Sequence, residues 1–258
     1  MLAFMRVLQK SDADIALMAE GGRILARIMR DVADNARPGM MLAALDRLAH
    51  RLMIDAGGDP AFLGYRPDGA LRPYPASICA SVNEVVVHGV PSKYVLQEGD
   101  LLKLDFGLRF KGFCTDAALT VPIGKISSVA RRLLETTQKA LEAGIEAARP
   151  GNHLGDIGFA VNLIVSHSGF RVVKGLTGHG IGRALHEEPV VLNYGRMGDG
   201  ILLKKGMVLA IEPMTSIGSD IIVQREDEGY ATKDGSLSAH FEHTVAITEQ
   251  GPKILTVL

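Results

Sequence analysis

Residues 98–107 read EGDLLKLDFG, and residues 204–213 read KKGMVLAIEP. Each segment carries an apolar run after a glycine and an acidic residue six positions beyond that glycine, so Asp105 and Glu212 correspond. The apolar runs predict buried strands. A buried acid without a partner is costly, so a strand of this kind that occurs twice indicates a shared purpose for the two carboxylates.

A pair of amphipathic helices precedes each of these strands. Apolar residues recur at three- and four-residue steps from the Ser11–Asp14 capping box to Gly57, and again from Val129 to Gly169. The joints within the two pairs even read alike, as ARPGM and ARPGN. The duplicated helix-helix-strand plan predicts an α+β fold of two similar halves that face each other across a cleft, in a single domain over residues 1–258.

A third acid, Asp116, lies in the next strand candidate, GFCTDAALTV. A hairpin that pairs Asp105 directly with Asp116 leaves residues 109–112 as a four-residue loop, which is an allowed length. Directly opposed β-carbons are roughly 5 Å apart, so both carboxylates could reach one cation with bonds of about 2 Å. The alternative, two solvated acids at strand ends, fits poorly with the apolar residues around them.

Two more candidates lie downstream. His179 stands seven residues before His186 in TGHGIGRALHEEP, and Glu242 lies in AHFEHT; either histidine alone would more often be structural. Together, four carboxylates and one imidazole formally neutralise two divalent cations. Carboxylate-rich ligation favours manganese or iron(II), with cobalt or zinc as further candidates. Two ions about 3.5 to 4 Å apart that bridge one water would suit hydrolysis.

With these motifs in hand, the sequence resembles the type I methionine aminopeptidases over essentially its whole length. The shared segments occur in the family's order: SICASVNEVVVHGVP, LDFG, CTDAALT, GHGIGRALHEEP, AIEPM and FEHT. The resemblance implies the pita-bread fold, in which two pseudo-symmetric helix-helix-strand halves surround a central antiparallel sheet. It also implies hydrolytic removal of the N-terminal initiator methionine from nascent proteins and peptides.

The resemblance gives each candidate ligand a role. It implies that Asp105 chelates one ion, that Asp116 and Glu242 bridge both ions, and that His179 and Glu212 complete the other. The two metal ions are thereby expected to sit between the two halves of the chain.

The resemblance also implies residues that contact the substrate. His88 is expected near the substrate amine and leaving group, and His186 near the scissile carbonyl. Glu212 is expected to act as a general base, a role that geometry must support. Tyr74 and Cys79 map onto the wall of the methionine pocket, although Cys79 could as easily be a small core residue.

Several positions depart from the family pattern. The chain has no tryptophan, so the family's pocket tryptophan is missing and Tyr230 is only an approximate substitute. Leu185 stands where phenylalanine is common, and the loop at residues 65–73 is longer than usual. This loop belongs to the proline-rich residues 59–76, which are predicted to form an ordered loop and not a strand. Its aromatic side chains could line a pocket.

His240 is a further departure, since it replaces a glutamine of the family. It could perturb the metal site or simply hydrogen-bond.

Composition limits the partners. A net charge of -1 without a long basic run argues against nucleic-acid binding. Two cysteines are too few for a disulfide framework, and neither a signal peptide nor an apolar run of ~20 residues is present. We therefore expect a cytoplasmic protein with no membrane partner. Composition gives no oligomer signal, and a monomer is the simplest expectation. The resemblance adds the nascent N-terminal methionine as substrate and transient contact with the ribosome.

Three alternatives stay open at this point. An aminopeptidase of the same fold that cleaves before proline (Xaa-Pro type) shares the ligand set, but usually carries an additional amino-terminal domain. A metal-free pita-bread protein could bind partners, yet it would have no need to retain all five ligand residues. An unrelated α/β binding protein would make the repeated glycine-to-acid spacing accidental.

Overall fold

The computed structural model describes residues 7–66 and 71–257. The helices are α1 (Asp12–Asn35), α2 (Leu42–Asp55), α3 (Ser128–Ala147) and α4 (Leu154–His167). The strands are β1 (Asp59–Pro60), β2 (Ile78–Val82), β3 (Val85–Val87), β4 (Leu101–Phe110), β5 (Phe113–Pro122), β6 (Arg171–Val172), β7 (Gly178–Gly180), β8 (Glu187–Val191), β9 (Val208–Ile211), β10 (Met214–Ser216), β11 (Ile222–Gln224), β12 (Tyr230–Thr232), β13 (Ser238–His240), β14 (Glu242–Thr248) and β15 (Gly251–Ile254). Over the described ranges, none of the helices combines the length and apolar character needed to cross a membrane.

The largest sheet has the strand order β1-β4-β5-β14-β9-β7-β8, with β2 also paired to β4 and β15 also paired to β14. Every pairing in it is antiparallel. Two three-stranded sheets, β13-β10-β6 and β11-β12-β3, lie beside it. Helices combined with antiparallel sheet confirm the predicted α+β class.

The predicted duplication is visible in the packing. The helix pair α1 and α2 packs against the first half of the sheet, where Leu25 and Leu45 share a buried cluster with Leu104 of β4. The pair α3 and α4 packs against the second half, where Ile145 and Ile157 share a cluster with Leu209 of β9. The strands that contain Asp105 and precede Glu212 therefore occupy corresponding positions relative to their helices.

The start of α1 follows the predicted capping box. The Asp14 amide donates to Ser11 Oγ at 3.2 Å, and the Ser11 amide donates to Asp14 Oδ2 at 3.0 Å. These bonds satisfy backbone donors that a helix amino terminus leaves without intrahelical partners. The helix ends at Asn35, before Arg37 and Pro38, as the sequence predicts.

The predicted register of the β4–β5 hairpin was wrong by two residues. Asp105 pairs with Ala118, and Asp116 pairs with Gly107. The strands run to Phe110 and Phe113, so the loop is the two-residue turn Lys111-Gly112, in which both residues have positive φ (49° and 81°). Positive φ at both positions is the geometry of a tight type I′ hairpin turn, whose twist matches the strands.

The prediction of an unbroken loop over residues 59–76 was also wrong at its start. Asp59 and Pro60 form β1 and pair with Arg109 and Leu108 at the edge of β4. Proline is tolerated there because an edge strand does not need every amide as a donor. The predicted lengthening of the loop at residues 65–73 falls partly on residues 67–70, which lie outside the described ranges.

Gly22 of α1 offers a test of how closely the helix packs on the carboxy-terminal segment. A β-carbon added there would overlap the main chain of Leu255, whereas one added at Gly21 would meet the Phe110 side chain at 3.2 Å. Alanine is favoured over glycine in a helix by about 1 kcal/mol. We nevertheless expect Gly22→Ala to lower the free energy of unfolding by about 1–3 kcal/mol, and Gly21→Ala to have a smaller effect. Urea unfolding of both variants would measure this, and equal effects would contradict the packing described.

Candidate metal centre

Four acidic side chains lie on one face of the large sheet. Three are on β4, β5 and β14, and the fourth directly follows β9. Asp105 of β4 pairs with Ala118 of β5, and Ala118 pairs in turn with Glu242 of β14. Directly paired residues present their side chains on the same face. On the far side of β14, His243 pairs with Ile211 of β9, so the register places Glu242 opposite Glu212, the first residue after β9. The methyl group of Ala118 thus separates two carboxylates.

Asp116 and His179 join this face by the two-residue period of strands. Asp116 lies two residues before Ala118, and His179 of β7 pairs with Ala210, two residues before Glu212. The structure therefore brings together all five residues that the sequence suggested as metal ligands. Whether they bind metal stays a prediction.

Distances within the cluster are short. His179 Nε2 lies 3.6 Å from Glu212 Oε1 and 3.8 Å from Asp116 Oδ2. One donor atom from each of Asp116, His179 and Glu242 lies within 4.8 Å of the other two. His179 Nδ1 donates to the Gly180 carbonyl oxygen at 2.8 Å, which leaves Nε2 free to face the carboxylates. Burial lowers the pKa of His179 to about 3 and so favours the neutral imidazole.

The four carboxylates are buried at high electrostatic cost. Asp116 and Glu242 are 3% and 2% exposed, whereas Asp105 and Glu212 are each 9% exposed and form the more accessible side. In the described part of the chain, these acids form ion pairs only with His179 and His240. Burial raises the pKa of Asp105 to about 7. The charge of His240 lowers this pKa, and the charge of Glu212 raises it.

The other three acids share this perturbation. Burial raises the pKa of Glu212, Asp116 and Glu242 well above their usual values, and neighbouring carboxylates add to the shift at Asp116 and Glu242. Proteins tolerate such a cluster when a cation compensates the charge. The cluster is thus built for positive charge that the side chains do not supply.

Unpartnered oxygen atoms point to the same conclusion. Within the part of the chain that the structure describes, Asp105 Oδ1, Asp116 Oδ1 and Glu242 Oε1 are buried and accept no hydrogen bond. Buried polar atoms normally have partners, so each exception needs an explanation. Because carboxylate oxygens bind divalent cations, the donor set fits a metal centre.

His240 also reaches this cluster. Its Nε2 atom lies 3.3 Å from Glu212 Oε2, and one donor atom from each of Glu212, His240 and Glu242 lies within 4.8 Å of the other two. Burial lowers the pKa of His240 to about 4. The charge of Asp105 opposes this shift, and the charge of Lys103 adds to it. The sequence identified His240 as a departure from the family pattern that could perturb the metal site or simply hydrogen-bond, and did not decide between the two.

Two exposed histidines, His186 and His88, lie near the cluster. The ring of His186 packs edge-on against His179 with 4.3 Å between the centroids. Its Nδ1 atom is hydrogen-bonded to Tyr65 Oη at 2.7 Å. His88 has positive φ (60°), and its ring packs edge-on against Tyr230 at 5.8 Å. A strained backbone of this kind persists when the surroundings require it, often at functional sites.

Tyr65 is a site residue that sequence reasoning did not single out. The signal available was the proposal that aromatic side chains of the loop at residues 59–76 line a pocket. That proposal names no individual residue, because the contact with His186 spans 121 positions in the chain.

An apolar wall borders the carboxylates. Cys79 of β2 pairs directly with Asp105 and is buried. Tyr74 donates its hydroxyl to the carbonyl oxygens of Gly89 (3.0 Å) and Ile78 (3.2 Å). The ring of Tyr74 packs against the same buried cluster that contains Cys79, Phe62 and Leu185. The pocket residues predicted from the sequence therefore lie together beside the acids, and their contact with substrate stays a prediction.

Comparison with known proteins agrees with this geometry. The model of Metallopeptidase family M24 matches residues 16–249. A methionine aminopeptidase of Aquifex aeolicus is 44% identical over 255 residues, which cover 96% of this chain and 98% of the relative. The crystal structure of methionine aminopeptidase from Thermotoga maritima is 39% identical with a TM-score of 0.94, covering 98% of this chain and 100% of that chain.

A more distant structural neighbour is prolidase from Pyrococcus furiosus, at 23% identity and a TM-score of 0.77 over 98% of this chain and 66% of that chain. At this identity, the likeness shows the shared fold alone. Together with the Thermotoga maritima structure it confirms the predicted pita-bread fold. A metallopeptidase family implies divalent metal, and the carboxylate–histidine cluster is where the described residues could hold it. The chain therefore belongs to metallopeptidase family M24, in the type I methionine aminopeptidase group.

Proposed function

We propose that this chain hydrolyses the peptide bond after the N-terminal methionine of nascent proteins and peptides. One observation carries the proposal: the buried acidic cluster, with oxygen atoms that lack hydrogen-bond donors, lies beside exposed histidines and an apolar wall. Family membership supplies the reaction class. The printed names of the similar proteins supply methionine as the residue released.

The cluster would hold two divalent ions, since four carboxylates with neutral imidazole balance the charge of two such cations. Asp105 would bind one ion, Asp116 and Glu242 would bridge both, and His179 and Glu212 would complete the other. When bound, the ions activate water as a nucleophile and polarise the scissile carbonyl. Mn, Fe(II), Co and Zn all remain candidates, because oxygen and imidazole ligands accept each of them.

Glu212 would act as the general base at this site. Its carboxylate lies on the more accessible side of the cluster, so an oxygen that does not bind an ion can accept a proton from water. The same carboxyl group can then return the proton to the leaving amine. Its interactions with His179 and His240 fix the position of both oxygens.

His88 and His186 would orient the substrate. His186 is fixed by Tyr65 and packs on His179, which supports a contact with the scissile carbonyl next to the cluster. His88 is held in an unusual backbone conformation beside Tyr230, which supports a contact near the amine and leaving group. Tyr65 and His179 pack on the ring of His186 and partly desolvate it, which lowers its pKa, so the ring is neutral near pH 7 and can donate or accept one proton.

The apolar wall would receive the methionine side chain. Cys79, Tyr74 and Leu185 share one cluster beside Asp105, and a thioether packs well against aromatic rings. Neither alternative within this fold is favoured: a prolidase is similar only at the level of the fold, and a metal-free binding protein would leave the unpartnered oxygens unexplained. The proposal places the enzyme in the cytoplasm as a monomer that meets its substrate at the ribosome.

The assay that tests this function compares two peptides. Chelator-stripped protein, supplied in turn with manganese, iron(II), cobalt or zinc, should release free methionine from Met-Ala-Ser and should leave Ala-Pro-Ser intact, because the apolar wall fits a thioether side chain. Liquid chromatography of the products measures both reactions. Cleavage of the proline peptide alone would assign the chain to the proline-specific enzymes, and no cleavage with any ion would contradict hydrolysis.

Metal binding should depend on pH with a definite sign. Because the pKa of Asp105 is raised to about 7, the metal-free carboxyl group holds a proton below that pH, and a cation must displace it. The affinity should therefore rise as the pH rises through about 5 to 8, with release of protons. In the metal-free protein, the same raised pKa should make folding stability fall as the pH rises from about 4 to about 7.

Calorimetric titration in two buffers of different ionisation enthalpy measures the proton release. Asp100→Asn is a matched control, because that buried carboxylate already accepts hydrogen bonds from Asn83, Tyr94 and Gln97. It should leave proton release unchanged, whereas Asp105→Asn should reduce it. An affinity that stays constant over this pH range would contradict the protonation described.

The role of Glu212 can be tested by Glu212→Gln. The amide can still offer an oxygen ligand, but it cannot accept the proton, so we expect kcat to fall by about 10²- to 10⁴-fold with a small change in KM. Metal content measured on the same samples distinguishes lost proton transfer from lost metal. A variant that binds metal fully and turns over normally would show that Glu212 is not the base.

A further inference from the structure

The ring of His240 is 1% exposed, and neither of its nitrogen atoms has a hydrogen-bond partner among residues 7–66 and 71–257. Other histidines of the chain behave differently: His50 is hydrogen-bonded to Ser77, His243 to Thr256 and His179 to the Gly180 carbonyl. A buried imidazole that served only as a core residue would be expected to use at least one nitrogen. His240 therefore needs a hydrogen-bond or ligand partner that the described residues do not provide.

The backbone holds His240 in place. Its amide donates to Thr120 Oγ1 at 2.9 Å, and Thr120 Oγ1 donates to its carbonyl oxygen at 2.7 Å. His240 also pairs with Met214, two residues after Glu212. These contacts direct the ring into the acidic cluster, although no side-chain hydrogen bond fixes the ring itself.

The surroundings of His240 Nε2 are those of a ligand atom. It lies 3.3 Å from Glu212 Oε2, and its donor atoms and those of Glu212 and Glu242 fall within 4.8 Å of one another. An ion pair with Glu212 is the competing explanation, but this contact does not qualify as a hydrogen bond, since Nε2 has no such partner. Three donor atoms spaced in this way can surround one cation with bonds of about 2 Å.

We propose that His240 is a further metal ligand, which shares one ion with Glu212 and Glu242. The proposal rests on the function proposed above, because it assigns a sixth donor to the same centre. The donor set then contains two imidazoles, His179 and His240. Imidazole suits zinc, iron and cobalt better than it suits manganese, so His240 should shift metal preference away from manganese.

His240→Gln and His240→Leu test the proposal, with His243→Gln as the matched control. His243 lies on β14, the next strand along the chain. Because it is one residue from Glu242, its side chain points to the opposite face, where it contacts Thr256. Glutamine keeps a polar side chain, and leucine offers no ligand atom. Circular dichroism of each metal-free variant checks that the protein is folded.

The readout is metal binding, not turnover. Titration calorimetry with Co(II) should show a loss of about 10- to 100-fold in affinity at one site in both His240 variants, and a smaller loss with Mn(II). X-ray absorption of the zinc-loaded protein should show about one imidazole per ion in the parent and about half as many in the variants. The His243→Gln protein should match the parent in both measurements.

The outcomes separate this inference from the proposed function. If the parent binds two ions and releases methionine, but the His240 variants keep the parent's affinity and imidazole count, then His240 is not a ligand and the function stands. If the parent itself binds no divalent ion, both proposals are wrong. If only one of the two variants is folded, its affinity and imidazole count decide the question alone.

Discussion

The structure depends on one constraint, which is that four carboxylates are held close together within a sheet covered by apolar side chains. Two such charges about 4 Å apart repel each other by roughly 4 kcal/mol at the effective dielectric of a protein. Antiparallel pairing fixes their spacing, because Asp105, Ala118 and Glu242 are consecutive partners across three strands. The helix pairs pack on the opposite face of the sheet, against Leu104 and Leu209, and leave the carboxylates for another partner. A cluster of this kind is suited to compensation by cations.

Much of this arrangement could be predicted from the sequence, because its signals are local. A buried acid without a partner is costly, so it is expected to have a function. The same pattern of an apolar run followed by an acid occurs twice, and this repeat identified Asp105 and Glu212. The Ser11 capping box and the glycines after each helix pair are likewise short-range signals. Helix ends were accordingly predicted well.

Pairing between strands was harder, because the register depends on the turn. A four-residue and a two-residue loop are both allowed between β4 and β5, and only the positive φ of Lys111 and Gly112 decides between them. The error of two residues left the acids on one face, since side chains alternate with period two. Tyr65 and His240 were not assigned because their contacts join segments far apart in the chain, and no local pattern reports such contacts.

The order of the candidate ligands along the chain has a consequence for the timing of synthesis. They run from Asp105 to Glu242 of β14, so the last of them is added long after the first. A ribosome adds about 5 to 20 residues per second, and the complete set of candidate ligands exists only after residue 242 has been added. Until that point a growing copy cannot assemble the site, and any processing of its amino terminus depends on copies that were made earlier.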